Sequence, residues 1–522
     1  MKILTAAEMR EVDRLTAQKA RVASLRLMES AGKSVADFIQ ARFSDGKRRR
    51  VIVVCGKGNN GGDGFVCARY LQAGGARVSV YLIADLSDVK GDAAVNLRRW
   101  KKVGKLAVEG SAEKIGFQAG DIIVDALVGT GVRGPLEGRL AEVVTAVNHH
   151  PPGCVVVAVD IPSGLNADSG DAPGPVVVAD HTVTFTAPKQ GLLLGAGPEH
   201  VGDLVVCEIG SPKLLIEETG RSHLRWCEPG EFSQFALPRK ASGHKGDYGH
   251  VLVVAGSVGK SGAAVLAGTA ALRAGAGLVT VATPEPVLPV VAAHTPEIMT
   301  EPLAATLTGS VSDRCLEGGL FSKILEGKRV LAIGPGLTTH AETQAFVRTV
   351  VAAREVPIVL DADGLNAFAG RGEELSRSKG LLAVTPHPGE MARLLGCSTQ
   401  HVQTRRIDVA LQAAAAWNAC VILKGHQTVI AVPDGRAWVN STGNPGMGTA
   451  GTGDVLTGIL AGLTAQFGVD GWPEMLAWGV YLHGLAGDLA YAETGGAPLM
   501  ATDLISWLPR AFRQFYFECS RG

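Results

Sequence analysis

The sequence predicts an α/β protein of two units, the first of them a doubly wound parallel sheet. Three observations carry this. Short β-branched runs alternate with Ala/Leu-rich helical stretches, and nearly every run ends in a glycine or aspartate cluster, which is the grammar of α/β folds. The alternation halts once, between about Ser211 and Gly243, where Pro, Glu, Lys and Arg crowd together, and then restarts. Six of the seven tryptophans follow residue 225, so the halves also differ in composition. The division is drawn at residues 1–220 and 221–522.

Taken in order, the N-terminal stretch carries charges every few residues, where a signal peptide needs an apolar run. Thr5 and Glu8 form a capping-box pattern opening an amphipathic helix. Strands follow at 51–55, 78–84, 121–127, 155–160 and 181–186, their near-continuous apolar runs reading as buried parallel strands. After the break come runs at 250–256, 278–283, 330–334, 357–363, 381–386, 420–425 and 428–432.

Composition narrows the function. Lys plus Arg (50) balances Asp plus Glu (50), so no net field gathers nucleic acid or an anionic membrane surface. Apolar residues make up 46% and charged residues only 19% of the chain, enough to build sizeable cores. No run of about 18 apolar residues suggests a spanning helix. Nine cysteines, Cys55 to Cys519, contain no C-x-x-C pair, which fits reduced thiols and a cytoplasmic location. Glycine is the outlier at 67 of 522 residues, and such glycine belongs where backbone approaches a ligand.

The glycine loops are where chemistry is expected. G-x-G-x-x-G occurs at Gly56–Gly61, Gly129–Gly134 and Gly446–Gly451, and three hits in one chain show how unspecific the pattern is. The first follows a strand and opens a helix, with Asp85 ending the next strand as in a Rossmann dinucleotide site. GSVGKSG (256–262) lacks the first glycine of a P-loop, since Val254 stands there, and reads as a strand-to-helix turn. The amides and carboxylate of GKGNNGGDG (56–64) can serve a cation or a phosphate, although Asn59 and Asp63 read equally well as helix caps. Asp125, the 129–135 loop, Asp160 and Ser163 stand at other strand ends of the same half, where open α/β sheets bind ligands. The densest loop is GNPGMGTAGTGD, Gly443–Asp454. It offers a helix N-terminus to negative charge and ends in Asp454, which is either a general base beside the anion or the helix N-cap. TPHPGE (385–390) and Lys424–His426 add polar groups after strands.

Gly58–Asp63, GTGVRG and DIPSG together resemble the YjeF N-terminal family of NAD(P)H-hydrate epimerases. GPGL (334–337), DADGLN (361–366), VTPHPGEMARLL (384–395), LKG (423–425) and NPGMGTAGTGD (444–454) are similar to the ADP-dependent NAD(P)H-hydrate dehydratases of ribokinase-like fold. The resemblance spans nearly the whole chain and implies a Rossmann-like first unit and a ribokinase-like second. It also implies the sites. Asn60, Asp125 and Ser163 would hold K+. Asn59, Asn60, Gly61, Gly62, Asp63, the loop Gly129, Thr130, Gly131, Val132, Arg133, Gly134, Pro135, and Asp160 would bind hydrated NADH or NADPH. Ala264, Gly336, His387 and Asp454 would contact the hydrate in the second unit, where GSVGKSGAA would be a substrate loop. Lys424, Gly425, His426, Gln427, Thr428 and Gly453 would bind ADP, with Mg2+ bridging its phosphates. A homo-oligomer without nucleic-acid or membrane partners is expected. Catalysis falls to Asp454, with Asp160 the candidate near the reacting carbon of the epimerase.

Two other readings stay open on the residues alone. A metabolite kinase would use the same glycine-loop aspartate with ATP, and a noncatalytic NAD(P)-binding protein would use only the first unit. A conventional dehydrogenase is disfavoured, because no acid/base pair for hydride transfer stands out.

Overall fold

A computed structural model describes residues 1–43, 49–108, 115–131, 134–221, 223–353, 356–377 and 380–520. The chain divides into two compact units, Met1–Ser222 and His223–Gly522. Among the described residues no helix is long and apolar enough to cross a membrane.

The first unit holds seven strands: β1 Arg50–Cys55, β2 Arg77–Leu82, β3 Leu106–Val108, β4 Ile122–Ala126, β5 Val155–Val159, β6 His181–Phe185 and β7 Asp203–Cys207. All pair in parallel, in the order β3-β2-β1-β4-β5-β6-β7. Alternation along β1 shows why both faces are covered. Val51, Val53 and Cys55 pack against Leu27, Val35 and Phe65 of helices α2 (Ser24–Arg42) and α3 (Asn59–Ala73). Ile52 and Val54 pack against Val143, Val144 and Val147 of the helix Gly138–Asn148 on the opposite face. Ahead of these lies α1 (Ala6–Lys19), opened by the expected Thr5/Glu8 capping box. Chain order reverses between β1 and β4, and such a switch point opens a crevice at the strands' carboxyl ends.

The second unit has ten strands: β8 Leu224–Trp226, β9 His250–Val254, β10 Leu278–Pro284, β11 Met299–Leu303, β12 Val330–Ile333, β13 Ile358–Leu360, β14 Leu382–Val384, β15 Cys420–Leu423, β16 Val429–Ala431 and β17 Ala437–Val439. Their order is β11-β10-β9-β12-β13-β14-β15-β16-β17-β8. The β15–β16–β17 meander is antiparallel within an otherwise parallel sheet. Two small-residue helices, Ser261–Arg273 and Thr452–Phe467, pack backbone to backbone. A Cβ at Gly458 would lie 2.2 Å from the Ala267 carbonyl oxygen, and one at Gly462 would lie 2.4 Å from that of Ala271. Glycine at both positions thus lets the second helix reach the sheet with its N-terminus fixed in place. GSVGKSG is the turn between β9 and the Ser261–Arg273 helix.

Candidate functional site

In the first unit, the loops after β1, β4 and β5 open on a cavity of about 1060 Å³ at the switch point. Asn59, Asn60, Asp63, Gly129, Thr130, Gly131, Gly134, Pro135 and Asp160 line it, as does Asp85. Gly61 and Gly62 are buried in the first turn of α3. Val132 and Arg133 lie outside the described residues. The N-cap of α3 is Gly58, with no side-chain cap, so neither Asn59 nor Asp63 does the capping that their residue types allow.

Asp160 has a left-handed backbone, φ +66°, a strained setting for a non-glycine residue. Its carboxylate accepts hydrogen bonds from Lys189, itself 1% exposed, and from Thr184. Burial, then the charges of Asp160 and Asp13, push the Asp63 carboxyl well above the usual carboxylate range, with Lys189 opposing. Asn60 is 6% exposed, yet neither its amide oxygen nor its nitrogen has a partner. At the end of β4, fully buried Asp125 accepts hydrogen bonds from the Ser163 backbone N–H (2.8 Å) and hydroxyl (2.6 Å). The Ser163 hydroxyl in turn accepts from the Val128 N–H at 2.9 Å. Burial raises Asp125 to about 6, against these hydrogen bonds. One carboxylate, one hydroxyl and an orphaned amide oxygen suit a large monovalent cation better than a small divalent one.

In the second unit, the site is built where β13, β14 and β15 end against the Thr452–Phe467 helix. Asp361, 1% exposed, accepts from Lys424 Nζ (2.7 Å) and the Thr457 hydroxyl (2.7 Å). Lys424 also lies 3.9 Å from Glu390, whose carboxylate accepts from the His387 N–H. Asp363 accepts from Lys260 and from the Thr338 N–H. Asp454 stands above them in the first helical turn. The N-cap there is Gly451, φ +88°, and Asp454 has no hydrogen bond among the described residues. It is therefore not the cap. Burial first, then the charge of Asp361, raise its carboxyl to about 7 despite Lys424. The first-turn N–H groups have no intrahelical acceptors.

That loop is clamped. Asp488 accepts from the Gly443 N–H and the Asn444 amide, and Asn444 accepts from the Gly446 N–H. His483, pushed down to about 4 by burial, contacts the Thr452 carbonyl at 2.9 Å.

The remaining expected residues are placed unevenly. Gly336 accepts from the Ser257 hydroxyl and abuts the Lys260 backbone. His387 is exposed and caps the helix Pro388–Leu395, accepting from the Gly389 N–H. Ala264 is buried on the Ser261–Arg273 helix. Gly425, His426, Gln427 and Thr428 form the β15–β16 turn, the first two exposed and the last two half-buried, with Gly453 near the Lys424 ammonium. The Lys424 ammonium is paired with Asp361. Sequence patterns alone assign no role to Asp361, Glu390, Thr457, Lys189 or Asp13. Asp361 opens the DADGLN motif at a strand end, the same signal that marked Asp125.

Fold and sites together define an α/β enzyme of two units, one with a large cavity at a switch point, the other with a buried carboxyl at a helix N-terminus beside a glycine loop. Family profiles agree with this division: residues 24–191 match the YjeF-related protein N-terminus and 251–510 match NAD(P)H-hydrate dehydratase. The chain is 46% identical to the bifunctional NAD(P)H-hydrate repair enzyme Nnr of Moorella thermoacetica, covering 99% of this chain and 98% of that one. Its counterpart in Escherichia coli is 36% identical, covering 97% and 93%. A Bacillus subtilis ADP/ATP-dependent NAD(P)H-hydrate dehydratase crystallised with ATP/Mg2+ is 34% identical over 56% of this chain and 98% of that one, with a TM-score of 0.47. The chain belongs to the family of bifunctional NAD(P)H-hydrate repair enzymes.

Proposed function

We propose that the first unit interconverts the two C6 epimers of hydrated NAD(P)H and the second dehydrates the S epimer at the expense of ADP. The observation that carries the second assignment is Asp454, an unbonded carboxyl at a helix N-terminus beside a clamped glycine loop. Hydroxide is a poor leaving group. Asp454 takes the proton of the C6 hydroxyl, whose oxygen attacks the terminal phosphorus of ADP as the bond to AMP breaks. Loss of phosphate from C6, pushed by the ring nitrogen, and of a proton from C5 restores NAD(P)H. The glycine N–H groups and helix dipole stabilise charge on the transferring group.

Among the described residues no three metal-ligating side chains gather, so Mg2+ would be held mainly by the nucleotide phosphates with one or two carboxylates of this cluster. It would supply charge neutralisation. In the first unit Asn60, Asp125 and Ser163 would hold K+, whose positive field would steady a polar substrate group. The deciding experiment incubates the protein with mixed hydrate epimers, with and without ADP, and follows each species by chromatography. AMP, phosphate and NAD(P)H support this reading, whereas a stable phosphorylated product from ATP supports a kinase.

Two variants probe the assignments. Asp125→Ala should slow epimerisation at least tenfold and abolish any response to K+, while dehydration of the reactive epimer persists; unchanged epimerisation in the folded variant would refute the placement. Lys424→Ala should raise the KM for ADP about tenfold, equal to about 1.4 kcal/mol, and change the KM for hydrate less. Equal ADP affinity in variant and parent would count against that role.

A further inference from the structure

We infer that Asp13 is a catalytic residue of the first site, the proton donor to the C6 hydroxyl, with Asp160 the acceptor. This rests on the epimerase reading of that cavity.

Asp13 reaches the cavity because its helix is pinned. Leu4 pairs with the Lys189 segment, the Leu4 N–H donating to Pro188 and the Gln190 N–H to Leu4, each at 2.9 Å. Asp168 then accepts from the Ala6 N–H at 2.6 Å, and the capping box closes the first turn. The buried face of α1 carries Met9, Val12 and Thr16, and Asp13 falls beside that stripe at the cavity wall. A carboxylate there is costly unless it is paired or hydrogen-bonded. Its Oδ1 is fully enclosed and has no hydrogen-bond partner. Burial holds the carboxyl up at about 6, with Lys189 lowering and Asp160 raising it, so the two aspartates are near enough to feel each other's charge.

The second aspartate differs in setting. Asp160 is anchored by Lys189 and Thr184. Two carboxyls with separated environments on one cavity are the arrangement that acid/base pairs use. The buried Asn60 amide lines the same cavity.

The step balances without a further reagent. Asp13 gives its proton to the C6 hydroxyl, and the C6–O bond breaks with its electron pair departing as water. The lone pair on N1 forms the N1=C6 iminium. Water adds to C6 from the opposite face, the iminium electrons return to N1, and the water proton passes to Asp160. The two aspartates finish with protonation exchanged, poised for the reverse conversion, and reset through solvent.

The test uses the full chain without ADP. Interconversion of the purified epimers is followed by chromatography in the parent, Asp13→Asn and Asp13→Glu, alongside hydrate binding by calorimetry and Tm. Asp13→Asn should interconvert the epimers at least about a hundredfold more slowly, with hydrate affinity within about threefold and Tm not lowered. Asp13→Glu should recover part of the rate. Should the amide variant fail to fold, Asp13→Ser serves in its place with the same expectation. Interconversion by Asp13→Asn within about threefold of the parent would overturn the assignment, as would a loss of hydrate affinity matching the loss of rate. A parent that binds hydrate but does not interconvert the epimers would overturn the underlying reading of the cavity instead.

Discussion

Asp454→Asn is expected to lower ADP-dependent dehydration by about a hundredfold or more, the scale for losing a positioned general base. Asparagine keeps the volume and removes the acceptor. Because the sites lie in separate compact units, the variant should still equilibrate the hydrate epimers and accumulate both. The parent's pH profile carries a matching signature. Its carboxyl is raised to about 7, so kcat/KM should climb as pH rises through 7 and level off once the base is ionised. That limb should vanish in the variant. The stability effect has the opposite sense: the folded state holds this proton above the pH at which the unfolded chain releases it, so stability falls as pH rises from about 4 through 7. The variant should therefore melt higher than the parent at pH 8 and nearly alike at pH 4. Full dehydratase activity in Asp454→Asn would remove the residue from catalysis.

Asp361→Ala should strongly destabilise the second unit. It removes both a hydrogen-bond acceptor for Thr457 and the counter-charge of Lys424, and stranding a buried charge costs about 3–5 kcal/mol. For a unit of this size the Tm should drop by roughly five to eight degrees. The double variant Asp361→Leu with Lys424→Met should recover much of that loss, because a buried ion pair often adds little over apolar packing. Calorimetry on the three proteins decides it; a single variant as stable as the parent would show that water already satisfies the lysine.

The strands of both sheets were legible because buried parallel strands read as unbroken β-branched runs. What escaped lies mainly at the edges. β3 and β8 are three-residue strands, and β11, MTEPL, carries Glu and Pro, as suits a strand with one free side. Site loops at strand ends were legible from glycine and aspartate spacing. The partners were not, since spacing along the chain does not reveal that the Lys424 ammonium turns toward Asp361, or that Lys189 crosses to Asp160. Asp13 did leave a trace: in α1 it stands four residues after Met9 and three before Thr16, both buried, a charge set into a helical face that is otherwise enclosed.

The clasp between Leu4 and Lys189 also sets a timetable. Ribosomes make α1 long before the segment that holds it, and a lone 14-residue helix is marginal in water. At about 5–20 residues per second, its apolar face waits roughly ten to forty seconds for its seat. The first piece of the unit to be synthesised is thus the last to lock, and the cavity stays a wall short until the sheet is nearly complete.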